Sequence, residues 1–146
     1  MFIVSGCLLG HNCKYDGGNN ANEEVIKFCK EHKYIEVCPE CAGNLPCPRP
    51  PAEICGGKVV DKKGKDVTLQ FDKGAEISVN TCLTIARMTG EKIEGAILKA
   101  NSPSCGSGKI YDGTFTGTLI EGDGIFCRRL KRMGIDVITE KEKIKW

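Results

Sequence analysis

The segment Gly95-Ala-Ile-Leu-Lys-Ala-Asn-Ser-Pro-Ser-Cys-Gly-Ser-Gly108 decides how this chain is read. Its first four residues are a short apolar run with the character of a buried strand. Small polar residues, a proline and a glycine-flanked cysteine follow, so core building stops at Leu98. Pro103 removes a backbone donor and fixes one φ angle. Gly106 and Gly108 let the backbone come close to a bound group. Ser102, Ser104 and Cys105 are therefore presented together on a bend at the carboxyl end of a strand.

Two other apolar runs end in the same way. Phe2-Ile-Val-Ser5 leads into Gly6-Cys7, and Tyr34-Ile-Glu-Val37 leads into Cys38-Pro39-Glu40. Between them, Asn20 followed three residues later by Glu23 predicts an N-cap with a reciprocal acid. The helix it opens runs to about residue 32, with Val25, Ile26, Phe28 and Cys29 on its buried side. Asp72 predicts the start of a second helix over 73–88, whose stripe is Ala75, Val79, Cys82, Leu83 and Ala86. A third helix begins at Asp123, carries Phe126, Leu130 and Met133, and stops at Gly134. Residues 135–138 read as the last strand and 141–146 as a polar tail. The proline-rich segment 41–55 reads as an ordered loop across the mouth of a site. Residues 57–60 and 66–71 read as a β-hairpin, and 109–115 as a tight turn.

This alternation predicts an α/β fold, with a three-layer, open, mainly parallel (Rossmann-like) sheet and a small β-hairpin insertion, in one domain over 1–146. Ligands of such sheets bind outside the carboxyl ends of the strands. Cys7, Cys38 and the 102–105 bend all fall at carboxyl ends, so three cysteines distant in sequence converge on one edge.

The composition is that of a soluble chain of 146 residues, with 40% hydrophobic and 27% charged residues. A net charge of +2 offers no electrostatic argument for nucleic acid or a membrane surface. No apolar run approaches the roughly 20 residues that span a bilayer. The N-terminus enters a strand without a basic leader, so the cytoplasm is the expected location. The ten cysteines are the exception. Cys29, Cys82 and Cys127 fall in predicted helices and read as small buried hydrophobes. Cys7, Cys13, Cys38, Cys41, Cys47, Cys55 and Cys105 fall in loops.

Three thiolates on one edge have several uses. A structural zinc site wants four closed ligands. A thiol–disulfide enzyme wants Cys-x-x-Cys at a helix start, and Cys38-x-x-Cys41 leads into Ala-Gly-Asn-Leu-Pro, which does not read as helix. An electron-carrying iron–sulfur cluster wants four thiolates. A catalytic cluster needs three and leaves one iron open as a soft Lewis acid. Spacing alone leaves the cluster and zinc readings level. Glu40 is a natural general acid/base beside such a metal, or a carboxylate pairing with Arg49. Ser102 is a hydroxyl near the metal, or a turn residue bonding its own backbone.

Four blocks in order carry a family resemblance. They are Ser5-Gly-Cys7-Leu-Leu-Gly10 with Tyr15-Asp-Gly17; Cys38-Pro-Glu40 with Gly43-x-Leu45 and Pro48-Arg-Pro-Pro-x-Glu-Ile54; Gly64-x-Asp-Val-Thr68 with Phe71 and Gly74-Ala75; and Leu98-Lys99-x-x-Ser102-Pro-Ser-Cys-Gly106 with Tyr111-Asp-Gly-Thr-Phe115. Over almost its whole length the chain resembles the small bacterial and archaeal thiouracil desulfidases. The resemblance implies a [4Fe-4S] cluster held by Cys7, Cys38 and Cys105. It implies a non-redox reaction in which thiouracil and water give uracil and hydrogen sulfide, with hydrosulfide carried transiently on the open iron. It puts the acid/base on Glu40 and the catalytic serine on Ser102, with Ser104 the neighbouring candidate.

Ser104, Lys99, Asp16 and Asp112 are the residues expected to bind the substrate. Cys13, Cys41, Cys47 and Cys55 lie outside the family pattern and are expected not to be ligands. The expected partners are a small thio-substrate, the cluster-assembly machinery and a second copy in a homodimer, with no membrane and no nucleic acid. Two rival readings use nearly the same residues: a sulfide donor in tRNA or amino-acid thiolation, and a structural metal-binding module.

Overall fold

In the computed structural model, which describes residues 1–146, the elements follow in the order β1 (Phe2–Ser5), a 3-10 turn (Gly6–Leu9), α1 (Glu23–Glu31), β2 (Tyr34–Val37), α2 (Pro39–Ala42), β3 (Ala52–Cys55), β4 (Lys58–Asp61), α3 (Thr68–Thr89), β5 (Gly95–Leu98), β6 (Lys109–Tyr111), β7 (Leu119–Glu121), α4 (Ile125–Arg132) and β8 (Val137–Thr139). The central sheet has the order β2-β1-β5-β8 and is parallel throughout. Two antiparallel hairpins, β3-β4 and β6-β7, stand beside it.

Every residue of β1 and β5 is buried, as a parallel sheet covered on both faces requires. Ile3, Ala96, Leu98 and Val137 face Ala75, Val79 and Cys82 of α3 and Phe126, Cys127 and Leu130 of α4. Phe2, Val4, Ile97 and Ile138 face Leu8 of the 3-10 turn and Val25 and Phe28 of α1. This makes three layers. The chain leaves β1 toward β2 on one side and later returns on the other, through β5 to β8. The switch point therefore lies between β1 and β5, where open α/β sheets leave a crevice at their carboxyl ends.

Several boundaries differ from the sequence expectation. The cap of α1 is Asn22 rather than Asn20, its side chain accepting the Val25 N–H at 3.1 Å. Helix α3 begins at Thr68, not after Asp72. Asp66 accepts the Thr68 N–H at 2.9 Å, and the Thr68 hydroxyl accepts the Val59 N–H at 2.9 Å. Residues 66–71 are thus not a strand, and β4 pairs instead with β3, drawn from the end of the proline-rich segment. Pairing starts at Ala52 because Pro50 and Pro51 have no N–H to donate. Helix α4 starts after Gly124 rather than at Asp123, and β8 is shifted to Val137–Thr139. Leu83 and Met133 are exposed rather than on buried stripes. The last residues are not merely a polar tail, because the Trp146 ring packs on Phe2 at 5.1 Å and closes over Gly95.

Residues 39–42 are a one-turn helix, where the sequence predicted none. Its backbone touches that of α3. A Cβ on Gly74 would sit 1.8 Å from the Pro39 carbonyl, and one on Gly43 would sit 2.1 Å from the Gln70 carbonyl. Two glycines opposite each other permit this approach, and it fixes Cys38 and Glu40 against the longest helix. No helix is long and apolar enough to cross a membrane.

Candidate active site

The carboxyl ends of three neighbouring strands, β2, β1 and β5, open into a cavity of about 490 Å³, within the range of small-molecule sites. The end of β1 contributes Ser5 and Cys7, that of β2 contributes Cys38 and Glu40, and that of β5 contributes Lys99, Ser102 and Cys105. Cys13 and Tyr15 enter from the polar loop after the 3-10 turn. Arg49 and Glu53 enter from the proline-rich segment, and Tyr111 and Phe115 from the β6-β7 hairpin.

The thiols influence one another. The Cys7, Cys13 and Cys38 thiols are close enough to shift one another's proton affinity. The neighbouring Cys13 thiol holds Cys38 down to about 5 against the opposing effect of burial, with the Cys41 N–H assisting. The same thiol holds Cys7 below its ordinary value, again against burial. Cys13 itself is raised by Cys38 and Cys7. Cys105 is enclosed, and burial pushes it well above the ordinary thiol value despite a bond from Ser5. No group of three or more His, Cys, Asp and Glu side chains is gathered tightly enough to hold a single metal ion. The thiolates of a cuboidal cluster each bind a different iron, so they stand wider apart than ligands of one ion. The donor set around this cavity, thiols with no imidazole, suits an iron–sulfur cluster.

Glu40 sits beside the thiols and is almost withdrawn from solvent. Arg49 Nε donates to its Oε1 at 3.1 Å, and the Ser104 hydroxyl donates to its Oε2 at 3.3 Å. Burial raises the Glu40 carboxyl above the ordinary carboxylate value, Arg49 pulling the other way and the nearby Cys38 adding to the rise. Ser102 Oγ accepts the backbone N–H groups of Ser104 at 3.1 Å and Cys105 at 3.0 Å. Those bonds build the bend and leave the Ser102 hydroxyl hydrogen free. A profile of the 2-thiouracil desulfurase family matches residues 2–142.

The chain belongs to the 2-thiouracil desulfurase family. It is similar to a solved [4Fe-4S]-dependent thiouracil desulfidase, TudS, at 44% identity and a TM-score of 0.84, over 96% of this chain and 90% of that one. A curated relative, the uncharacterized protein YbbK of Bacillus subtilis (strain 168), is 41% identical over 152 aligned positions, covering 97% of each chain.

Within this 2-thiouracil desulfurase fold the expected site residues divide. Cys7, Cys38, Cys105, Glu40, Ser102 and Lys99 line one cavity. Ser104 lies behind it, buried against Glu40. Asp16 and Asp112 lie outside the lining. Asp16 accepts the Gly18 N–H and pairs with Lys14, and Asp112 caps Thr114. Cys41, Cys47 and Cys55 are exposed and off the cavity, whereas Cys13 is in it. Gly106 serves the bend rather than a bound group, since a Cβ there would meet the Ser102 carbonyl at 2.7 Å.

Sequence reasoning gave no site role to three charged residues in or beside the cavity, Arg49, Glu53 and Glu140. Arg49 was visible only as one candidate partner of Glu40. Glu53 is buried, and its Oε1 accepts the N–H groups of Gly113 at 3.0 Å and Phe115 at 3.1 Å. It thereby holds Phe115 over the cavity. Glu140 pairs with Lys99 at 2.5 Å and accepts the Ala100 N–H at 2.7 Å. The usable signal was a buried-type context for charges: Arg49 and Glu53 flank a run of prolines.

Proposed function

We propose that this protein converts 2-thiouracil or a closely related thiolated pyrimidine, with water, into the oxo compound and hydrogen sulfide, using a [4Fe-4S] cluster held by Cys7, Cys38 and Cys105. The observation that carries the reading is that three thiols just beyond strand ends and the largely enclosed Glu40 carboxylate line the same cavity. Membership of the 2-thiouracil desulfurase family and similarity to a [4Fe-4S]-dependent thiouracil desulfidase support it. When bound, the cluster supplies a soft Lewis acid suited to a thiocarbonyl sulfur.

The remaining work belongs to side chains. Glu40 takes a proton from water as the oxygen bonds to the thiocarbonyl carbon, and its raised proton affinity suits that role. Arg49 and Ser104 hold one carboxylate oxygen each and so fix its direction. Ser102 has a hydroxyl hydrogen to give to the substrate, since its oxygen is anchored by two N–H groups. Lys99 spends two of its three ammonium hydrogens on Glu140 and the Ala100 carbonyl and presents the third to an oxygen on the ring edge. Phe115 and Tyr111 offer the ring its apolar faces.

The test is anaerobic reconstitution with iron and sulfide, followed by addition of 2-thiouracil. Four irons per chain and catalytic release of uracil and sulfide are expected. A colourless zinc-loaded protein overturns the proposal. Sulfide delivered only when an acceptor protein is added makes the chain a sulfide donor instead.

A further inference from the structure

We propose that Cys13 is a fourth, exchangeable thiolate, which closes the cluster while the site is empty and leaves it when substrate sulfur arrives. The inference rests on the cluster reading above and goes beyond its three ligands. Four thiols line this one cavity: Cys7, Cys13, Cys38 and Cys105. The Cys38 sulfur lies 3.9 Å from the Cys13 carbonyl, so the Cys13 residue stands directly beside one of the other three. The other extra loop cysteines, Cys41, Cys47 and Cys55, do not line it.

The way Cys13 is mounted separates it from its neighbours. Cys7 sits in the 3-10 turn that follows β1, Cys38 caps α2 directly after β2, and Cys105 lies in the bend held by Ser102 Oγ, so each is fixed by ordered turn structure. Cys13 stands on a half-exposed polar loop. The loop backbone is held at discrete points: Arg49 Nη2 donates to the Cys13 carbonyl at 2.8 Å, the Arg49 N–H donates to the Tyr15 carbonyl at 2.7 Å, and the Cys47 thiol approaches the carbonyls of Asn12 and Lys14 at 3.1 and 3.2 Å. The residue is therefore fixed by its main chain, while rotation about one side-chain bond moves its sulfur. A movable thiolate beside an open iron protects that iron without blocking catalysis. The exchange is heterolytic and needs no oxidant. The iron–Cys13 bond breaks as a bond to the thiocarbonyl sulfur forms, and Cys13 departs with its electron pair and takes a proton from water. Release of hydrosulfide lets it return.

The test uses wild type, Cys13→Ala and Cys13→Ser, each reconstituted anaerobically with iron and sulfide. Iron content, the electron paramagnetic resonance signal of a three-iron cluster during mild oxidation, and alkylation of each cysteine by iodoacetamide are read. All three proteins are expected to load four irons. The variants should lose one iron about tenfold faster than wild type. In the wild-type holoprotein, Cys13 should be alkylated about tenfold faster once 2-thiouracil is added, with Cys7, Cys38 and Cys105 still protected. Equal rates of iron loss in wild type and variants, or Cys13 alkylation indifferent to 2-thiouracil, overturn the proposal while leaving the three-ligand cluster intact. A wild-type protein that binds no iron overturns both.

Discussion

Arg49 donates from Nε to Oε1 of Glu40 at 3.1 Å, with only 5% of the arginine side chain and 17% of the glutamate side chain exposed. The same guanidinium reaches the carbonyls of Cys13 at 2.8 Å and Pro46 at 3.3 Å. One side chain thus ties the candidate base to the loop that carries the fourth thiol. Lysine cannot serve three acceptors in a plane. Arg49→Lys should lower unfolding stability by about 1–3 kcal/mol and weaken cluster retention, while Arg49→Ala, which strands a buried carboxylate, should cost about 3–5 kcal/mol. Denaturant unfolding with and without reconstitution measures both, and a stability indistinguishable from wild type in Arg49→Ala would contradict the ion pair.

Glu40→Gln preserves size and lets the Ser104 contact persist, but removes the proton acceptor. Cluster content should match wild type, and turnover of 2-thiouracil should fall about 10²–10⁴-fold. Turnover within a few-fold of wild type would remove Glu40 from the acid/base role.

Glu53 tests the roof of the cavity. Its single oxygen holds two N–H groups of the 112–118 turn. Glu53→Gln and Phe115→Ala should each raise KM several-fold with cluster content unchanged, because they alter where the ring is held and not the thiols. A loss confined to kcat, with KM constant, would argue that this turn does not touch substrate.

Gly74→Ala places a methyl group where the Pro39 carbonyl already lies. Helix α2 must move off α3, and Cys38 and Glu40 move with it. The variant should lose about 1–3 kcal/mol of stability and load iron poorly. The exposed-face control Glu76→Ala on the same helix should do neither.

Asp123 accepts the Gly108 N–H at 2.8 Å and pairs with Lys131 at 2.7 Å, tying the cysteine bend to α4. Burial alone would raise the Asp123 carboxyl, but the Lys131 and Gly108 bonds outweigh it and hold it below the ordinary value. A carboxyl depressed on folding stabilises above its unfolded pKa of about 3.9, and that contribution is lost as pH falls through the folded value. For Lys131, burial pulls down but the bond to Asp123 prevails and raises it; its contribution is present below about 10.4 and is lost as pH rises through the folded value. Asp123→Asn should therefore be destabilised by about 1 kcal/mol near pH 7. The gap to wild type should close in acid, as thermal melts across pH will record.

The thiol edge was legible because strand-end chemistry is local. Apolar runs such as 2–5, 34–37 and 95–98 announce buried parallel strands, and a cysteine or a glycine-flanked bend just after each run marks its carboxyl end. That reasoning located Cys7, Cys38 and Cys105 without any contact being known. It went astray where local signals compete. Asp72 has the chemistry of a cap, yet Asp66 and the Thr68 hydroxyl start the helix earlier because Val59 of the adjacent hairpin offers its N–H to that hydroxyl.

By itself the sequence determined the three-layer α/β class, the mainly parallel sheet and the three cysteines beyond strand ends, since each follows from periodicity and from which residues end a strand. Only the tertiary structure decided that Cys13 joins them, that Arg49 clamps Glu40, that Glu53 holds Phe115 over the cavity and that α2 rests on α3. Those pairings join residues far apart in the chain or mounted on irregular loops, where no repeat constrains direction. A buried charge or thiol finds its partner only once the sheet has brought the loops to one edge.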